Sequence, residues 1–321
     1  MDYPAISCVV IGVNVQKTIR SSLEAVKKSD YPKPLEIIYV DGGSSDNSVE
    51  IVRQVGGIKV IELRLDNPTP GKGRNAGWRA ASNEWIQFLD GDAFIDPLWL
   101  RKAAENIDDT TAIVFGRRQE IFPRKNWYHL AAEIGWMHES ERSIGGDILC
   151  RRKSLEETGG YVDFLVGGAD PELGIRIRKA GWKIKKLKEP MCFHDIAAKN
   201  FARYWRRSMR VGRAYIEAGV LMAKRGEKDW VFRALKISLK ICLLLGLLVC
   251  ALALKEHLFF FTLVFAVNFF PVTKTFYFMR TLGIPFREAL IYALHCSVVI
   301  WPQFFGILSY FLRLNANVTK K

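Results

Sequence analysis

The sequence predicts an α/β domain on a mostly parallel sheet, followed by a C-terminal α-helical transmembrane region. Two observations predict it. Short apolar runs alternate with amphipathic helical stretches through the first hundred residues, the pattern of a parallel sheet covered by crossover helices. From about residue 231 the chain turns into long stretches without formal charge. Its 321 residues are 49% hydrophobic and 25% charged, which excludes disordered and collagen-like classes and allows a sizeable core. Lys and Arg number 47 against 33 Asp and Glu, a net charge of +14 that favours anionic partners. Six cysteines occur without a CxxC pair, which excludes zinc ribbons and thioredoxin-type chemistry and fits a reducing compartment.

Ile6–Val13 reads as a strand buried on both faces. Thr18–Lys28 has helical spacing through Ile19, Leu23 and Val26, and Leu35–Val40 is a second buried strand. Ser48–Val55 is helical, Lys59–Leu63 a third strand, Gly73–Ser82 a helix and Trp85–Leu89 a fourth strand. Ligands of such sheets bind at the carboxyl ends of the strands. Carboxylates close two of them, in Val40-Asp41-Gly42-Gly43-Ser44-Ser45-Asp46 and Leu89-Asp90-Gly91-Asp92. A carboxylate there can also be a plain turn former. Asp90 and Asp92 flank a glycine, so both can face one side, and two hard oxygen donors suit Mg²⁺ or Mn²⁺ holding a diphosphate. The glycine-rich run Gly71–Gly77 fails the dinucleotide-binding spacing, but Lys72 and Arg74 at a helix start make an anion site.

Taken together, these motifs resemble the family 2 glycosyltransferases of GT-A fold over roughly residues 5–215. The family's opening motif is similar to Val9-Val10-Ile11-Gly12-Val13-Asn14-Val15, and its Asp-Asp-Gly-Ser-x-Asp stretch to Val40–Asp46. Arg74-Asn75-Ala76-Gly77 matches its Arg-Asn-x-Gly helix start and Asp90-Gly91-Asp92 its metal motif. Gly159-Gly160-Tyr161-Val162-Asp163 through Gly168-Ala169-Asp170-Pro171-Glu172-Leu173 resembles its downstream acidic segment, with Arg176, Arg178 and Gly181 where its helix and turn are expected. The chain departs from the family at Gly12, Asn14 and Val15 and at Ala169, where a Glu is usual. The resemblance implies a Rossmann-like catalytic domain and inverting transfer from a nucleotide sugar, UDP-sugar favoured. It implies Asp170 as general base, against the plainer reading of an N-cap. Asp41, Arg74, Asp90 and Gly12 would hold the nucleotide sugar, and Asp92 and Asp90 the metal. His194, at the end of the short apolar strand Met191–Phe193, would be a third metal ligand or a diphosphate contact.

The stretch from Arg176 to Arg213 is dense in Lys and Arg, with Glu189 and Asp195 its only acids. Within it, Tyr204–Arg213 reads as a basic helix on an anionic inner leaflet, with Arg206, Arg207 or Arg210 meeting a diphosphate or a lipid phosphate. Processive synthases carry a Gln-x-x-Arg-Trp motif in a comparable region, and this sequence has none. Ile241–Leu254, His257–Thr273 (17 residues) and Ala289–Leu312 (24 residues) carry no formal charge. A span needs roughly 20 mainly apolar residues. The expected domains are therefore 1–198 (catalytic), 199–232 (basic interfacial helices) and 233–321 (transmembrane, spans near 235–254, 257–273 and 289–312). Three spans compete with two plus an interfacial hairpin. No signal peptide is legible, and Lys274, Arg280 and Arg287 between the last two segments place that link in the cytosol. Lys255–His257 would then be an outer turn.

The expected function is metal-dependent transfer to a lipid-linked or glycan acceptor at the cytoplasmic face of the inner membrane. A processive synthase subunit and a catalytically silent scaffold that binds nucleotide sugar are the alternatives. No nucleic-acid partner is expected, and a homo-oligomer is left open.

Overall fold

The computed structural model describes residues 2–65, 67–121, 126–137, 144–194, 200–254 and 257–318. It divides into two units, one of residues 1–122 and 137–196, the other of residues 123–136 and 197–321. The inclusion of 123–136 in the second unit is not anticipated by the sequence boundaries.

The first unit runs β1 (Ile6–Gly12), α1 (Ile19–Lys27), β2 (Glu36–Asp41), α2 (Ser48–Val55), β3 (Lys59–Glu62), α3 (Pro70–Ala80), β4 (Trp85–Asp90), β5 (Ala93–Ile95), α4 (Trp99–Ala104) and β6 (Thr111–Glu120). The chain enters the second unit for α5 (Trp127–Met137) and returns for β7 (Ile148–Arg151), α6 (Arg152–Thr158), α7 (Ala169–Lys179) and β8 (Lys183–His194). One eight-stranded sheet results, in the order β3-β2-β1-β4-β7-β6-β8-β5. Strands β1 to β4 are mutually parallel, and β7 joins antiparallel to β4. The core is the apolar run of β1, β2 and β4 with Trp85, Trp99, Tyr39 and Phe88, all but fully buried. Helix α3 lies against this run at a distance only glycine permits. A Cβ on Gly77 would fall onto Val9 Cγ1 and stand 3.3 Å from Val40 Cγ2. Its start is fixed by Pro70 in the first turn and by the Thr69 hydroxyl, which accepts from the Lys72 amide at 3.2 Å.

β8 is far longer than the expected Met191–Phe193. Lys183, Lys185, Lys186 and Lys188 hide its first part from a hydrophobicity pattern, and the physical reason is its position. β5 pairs only with Cys192–His194, so among the described residues the outer side of Lys183–Pro190 is an open edge. Lysines on such an edge oppose pairing with another chain.

The second unit contains α8 (Phe201–Lys224), α9 (Asp229–Leu254), α10 (His257–Thr281), α11 (Phe286–Val298) and α12 (Ile300–Val318). Among the described residues, three stretches are long and apolar enough to cross a membrane: Asp229–Leu254 (26 residues), His257–Thr281 (25) and Phe286–Leu312 (27). The last is built of α11 and α12. Leu239, Leu252, Leu258, Phe265 and Phe270 point outward, as lipid-facing side chains would. Helix α8 is not a free basic helix. Tyr204, Ser208, Gly212, Tyr215, Ala218, Gly219 and Met222 form its buried side. Gly212 lies against the Gln303 backbone and Gly306 against that of Met209, so α8 and α12 cross in backbone contact. Ile134 of α5 packs with Met279 and Ala289, which explains why 123–136 belongs here. Lys255 and Glu256 of the expected outer turn, and Lys320 and Lys321, lie outside the described residues.

Candidate active site

The carboxyl ends of β1, β2 and β4 lie side by side, with Gly12 opposite Asp41 and Ile11 opposite Asp90. Asp41 is 3% exposed. Its carboxylate accepts the amides of Gly43 (2.8 Å) and Ser44 (2.7 Å) and the hydroxyls of Ser44 and Tyr39. The turn-forming role is therefore real here. Across from it Asn14 sits at φ 56°, a strained conformation for a side-chain-bearing residue. Its Oδ1 accepts the Ser45 amide at 2.8 Å and its own amide donates to Ser44 Oγ at 2.9 Å. The departure Asn14 thus stitches the β1 loop to the β2 loop. Gly12 is required by crowding, since a Cβ would stand 2.6 Å from Val15 Cγ2.

Asp90 ends β4 with its side chain 30% exposed. Arg74 Nη2 donates to its Oδ1 at 2.7 Å, and Arg118 Nη2 lies 3.6 Å from its Oδ2. Burial alone would push the Asp90 carboxyl up, but Arg74, Arg118 and His194 outweigh it and hold the group below its ordinary value. The Asp90 amide donates to Asp147 at 2.9 Å, and Arg118 pairs with that same buried carboxylate. Arg118 and Asp147 escape sequence reasoning. They come from β6 and from just before β7, and only the sheet order brings them to Asp90.

Asp92 and His194 meet through strand pairing. β5 runs antiparallel to β8 with Ala93 opposite His194, which sets His194 Nε2 3.3 Å from Asp92 Oδ1. Among the described residues no three His, Cys, Asp or Glu converge on one point. The expected trio is split: Asp92 joins His194, while the nearest partner of Asp90 is Arg74. A hard carboxylate oxygen beside an imidazole, with Asp92 39% exposed, is still a donor pair that fits Mg²⁺ or Mn²⁺ with room for substrate oxygens.

Asp170 is the second residue of α7 and not its cap. Gly168, at φ 81°, takes that place, and no side-chain cap is formed. The Asp170 side chain is 21% exposed and its Oδ1 accepts from Arg74 Nη1 at 3.1 Å. Burial raises its carboxyl above the ordinary value; Arg74 opposes that and Asp90 adds to it. Two neighbouring carboxyls thus move in opposite directions. Glu172, fully buried, is spent on a fork-to-fork pair with Arg176.

Asn75 explains why the Arg-Asn-x-Gly segment and the Gly159–Asp163 segment occur together. Its Nδ2 donates to Tyr161 O (2.8 Å) and Asp163 (2.6 Å), and its Oδ1 accepts from Tyr161 N and Trp78 Nε1, both 2.9 Å. Arg206, Arg207 and Arg210 lie on α8, in the second unit; Arg206 and Arg210 are exposed and Arg207 half-buried.

The sheet order, the acidic strand ends and the helical region define a GT-A type enzyme with candidate membrane spans. The family model described as glycosyl transferase family 2 matches residues 7–168, about half of the chain. The chain belongs to glycosyl transferase family 2. It is similar to the glycosyltransferase AglE of Haloferax volcanii (26% identity over 231 residues, 68% of this chain and 75% of that one). It is also similar to the poly-β-1,6-N-acetyl-D-glucosamine synthase of Staphylococcus epidermidis (24% over 221 residues, 64% of this chain and 53% of that one). The match to the poly(ribitol-phosphate) β-N-acetylglucosaminyltransferase TarS of Staphylococcus aureus is shorter, 35% over 107 residues, 32% of this chain and 19% of that one. The mannosyltransferase PcManGT of Pyrobaculum calidifontis, solved with GDP-Man and Mn²⁺, shares the fold. Its TM-score is 0.63 at 15% identity, covering 96% of this chain and 88% of that one.

Proposed function

We propose that the chain is a metal-dependent inverting glycosyltransferase. It moves one sugar from a nucleotide sugar to a lipid-linked or glycan acceptor at the cytoplasmic face of a membrane. The observation that carries this reading is the geometry at the carboxyl ends of the strands, where the Arg74 guanidinium bridges Asp90 at 2.7 Å and Asp170 at 3.1 Å and Asp92 lies 3.3 Å from His194. The opposite shifts of the two carboxyls, Asp90 downward and Asp170 upward, accord with a binding role for the first and a proton-accepting role for the second.

In the reaction, Asp170 takes the proton of the acceptor hydroxyl as its oxygen attacks the anomeric carbon. The bond from that carbon to the diphosphate breaks, its electron pair leaves with the diphosphate, and the configuration inverts. Asp41, Gly12 and Asp90 line the nucleoside and ribose side. Asp92 and His194 would hold the divalent cation, which supplies charge neutralisation to the leaving diphosphate. His194 must be neutral to serve as a ligand. Arg206, Arg207 and Arg210 offer guanidinium forks for a lipid phosphate. The outward apolar side chains of the three candidate spans support a membrane setting. UDP-sugars are the first donors to test, with GDP-mannose next because the structural neighbour was solved with it.

The test uses the full chain in detergent with UDP-GlcNAc, UDP-glucose or GDP-mannose and Mn²⁺, following release of the nucleoside diphosphate. Asp170→Asn should abolish turnover while nucleotide binding persists. Full turnover in that variant removes Asp170 from the base role, and long polymer in place of single addition favours a processive synthase.

A further inference from the structure

We propose that Arg74 is a positioning residue that ties the donor-side carboxylate Asp90 to the base Asp170, and not a ligand of the donor. This rests on the reading of Asp170 given above. Arg74 is 3% exposed, and its two terminal nitrogens are committed to protein carboxylates, Nη2 to Asp90 at 2.7 Å and Nη1 to Asp170 at 3.1 Å. These carboxylates come from the end of β4 and the start of α7, far apart in sequence. A planar fork spans them with two separate nitrogens, a fixed geometry that the compact ammonium of a lysine does not reproduce.

The surroundings fix the fork. Gly146 lies flat against it: a Cβ there would fall onto Nη2 and stand 2.8 Å from Cζ. The Tyr161 ring lies 5.5 Å from Cζ. Asn75, the next residue, holds Tyr161 by its amide and carbonyl. Among the described residues Arg74 Nε is buried and makes no hydrogen bond, so the hydrogen bonds that direct the guanidinium are those to the two carboxylates. A donor phosphate could claim Arg74 only by drawing it away from one of two half-buried carboxylates, and Asp170 would then lose the guanidinium that holds its Oδ1.

The expected signature is a loss of rate without a loss of donor affinity. Arg74→Lys in the full chain should lower kcat by about 100-fold, the scale of a misplacement near 1 Å. The dissociation constants of UDP and GDP with Mn²⁺ should stay within about threefold. The acid limb of the kcat profile should move to higher pH. Among the described residues, the charged and titratable groups that act on Asp170 are Arg74, Asp90, Arg118 and Tyr161, and the bridging cation is the one weakened. A fall in nucleotide affinity in step with kcat/KM would make Arg74 a donor ligand and overturn the proposal, as would a kcat within a few fold of the unaltered enzyme. If Arg74→Lys does not fold, Gly146→Ala reports instead. It pushes on the guanidinium without removing a charge, and it should lower kcat with nucleotide binding kept; unchanged kcat there overturns the proposal. Turnover surviving in Asp170→Asn would instead sink the base reading, so the two failures are distinct.

Discussion

At the scale of the residue, acidity and hydrogen-bond supply separate the roles of the acidic side chains. Asp170 has its folded acidity weakened by burial, so it binds its proton at a higher pH than a free carboxylate, whose value is about 3.9. Transfer should therefore fall on acidification through a pH above that value, and a kcat profile with an acid limb at or below it would contradict the assignment. Asp90 behaves oppositely. Its folded value is depressed, so its stabilising contribution is complete above the unfolded value and fades as pH drops through the folded one. Asn75 carries four hydrogen bonds in a 2% exposed position, and Asn75→Ala would strand buried groups of Tyr161 and Trp78. The expected cost is about 2–4 kcal/mol from the groups left unpaired, read as a lower midpoint in thermal unfolding of the full chain. His194→Ala should raise the Mn²⁺ concentration needed for half-maximal turnover, with Asp92→Asn acting in the same direction. Turnover that persists in EDTA would count against a cation at this pair.

The elements show what is legible in the sequence and what is not. The strands β1, β2 and β4 and the helices α1 and α2 follow from apolar period and length, because these strands are buried on both faces and each helix on one, whereas β3 is a part-exposed edge strand. The ends of β2 and β4 are legible for the same reason: a carboxylate after such a run marks the carboxyl edge. The rest is hidden by non-local pairing. β8 looks polar because most of it is an edge, Asp147 and Arg118 look ordinary because their contact comes from sheet order, and the Asp92–His194 pair exists only through the β5–β8 register. The helix–strand contact at Gly77 makes a prediction at this scale. Gly77→Ala places a methyl on Val9 and 3.3 Å from Val40, and the resulting shift of α3 should cost about 1–3 kcal/mol. Because α3 carries Arg74 and Asn75, kcat should fall along with the unfolding midpoint.

For the whole molecule, the division by contacts falls at residues 196/197, beside the expected boundary at 198, and adds 123–136 to the helical unit. The helical unit claims 123–136 through the packing of Ile134 on Met279 and Ala289. It also rests on the backbone crossing of α8 and α12, which the glycines at 212 and 306 allow. Gly212→Leu should force these helices apart and lower the yield of folded protein in detergent. The basic residues of α8 separate acceptor chemistry from folding. Arg206 and Arg210 are exposed, so removing their charge disturbs no buried partner. The double variant Arg206→Gln, Arg210→Gln should stay in the membrane pellet through a carbonate wash, since the apolar stretches 229–254, 257–281 and 286–312 are untouched. Transfer to a polyprenyl phosphate acceptor should fall by about 10-fold or more, with slow hydrolysis of the nucleotide sugar unchanged, because each lost charge-assisted bond is worth about 1.5–3 kcal/mol. Equal loss of hydrolysis and transfer would mean that these arginines serve the donor diphosphate, and loss of neither would leave them as a solvated face.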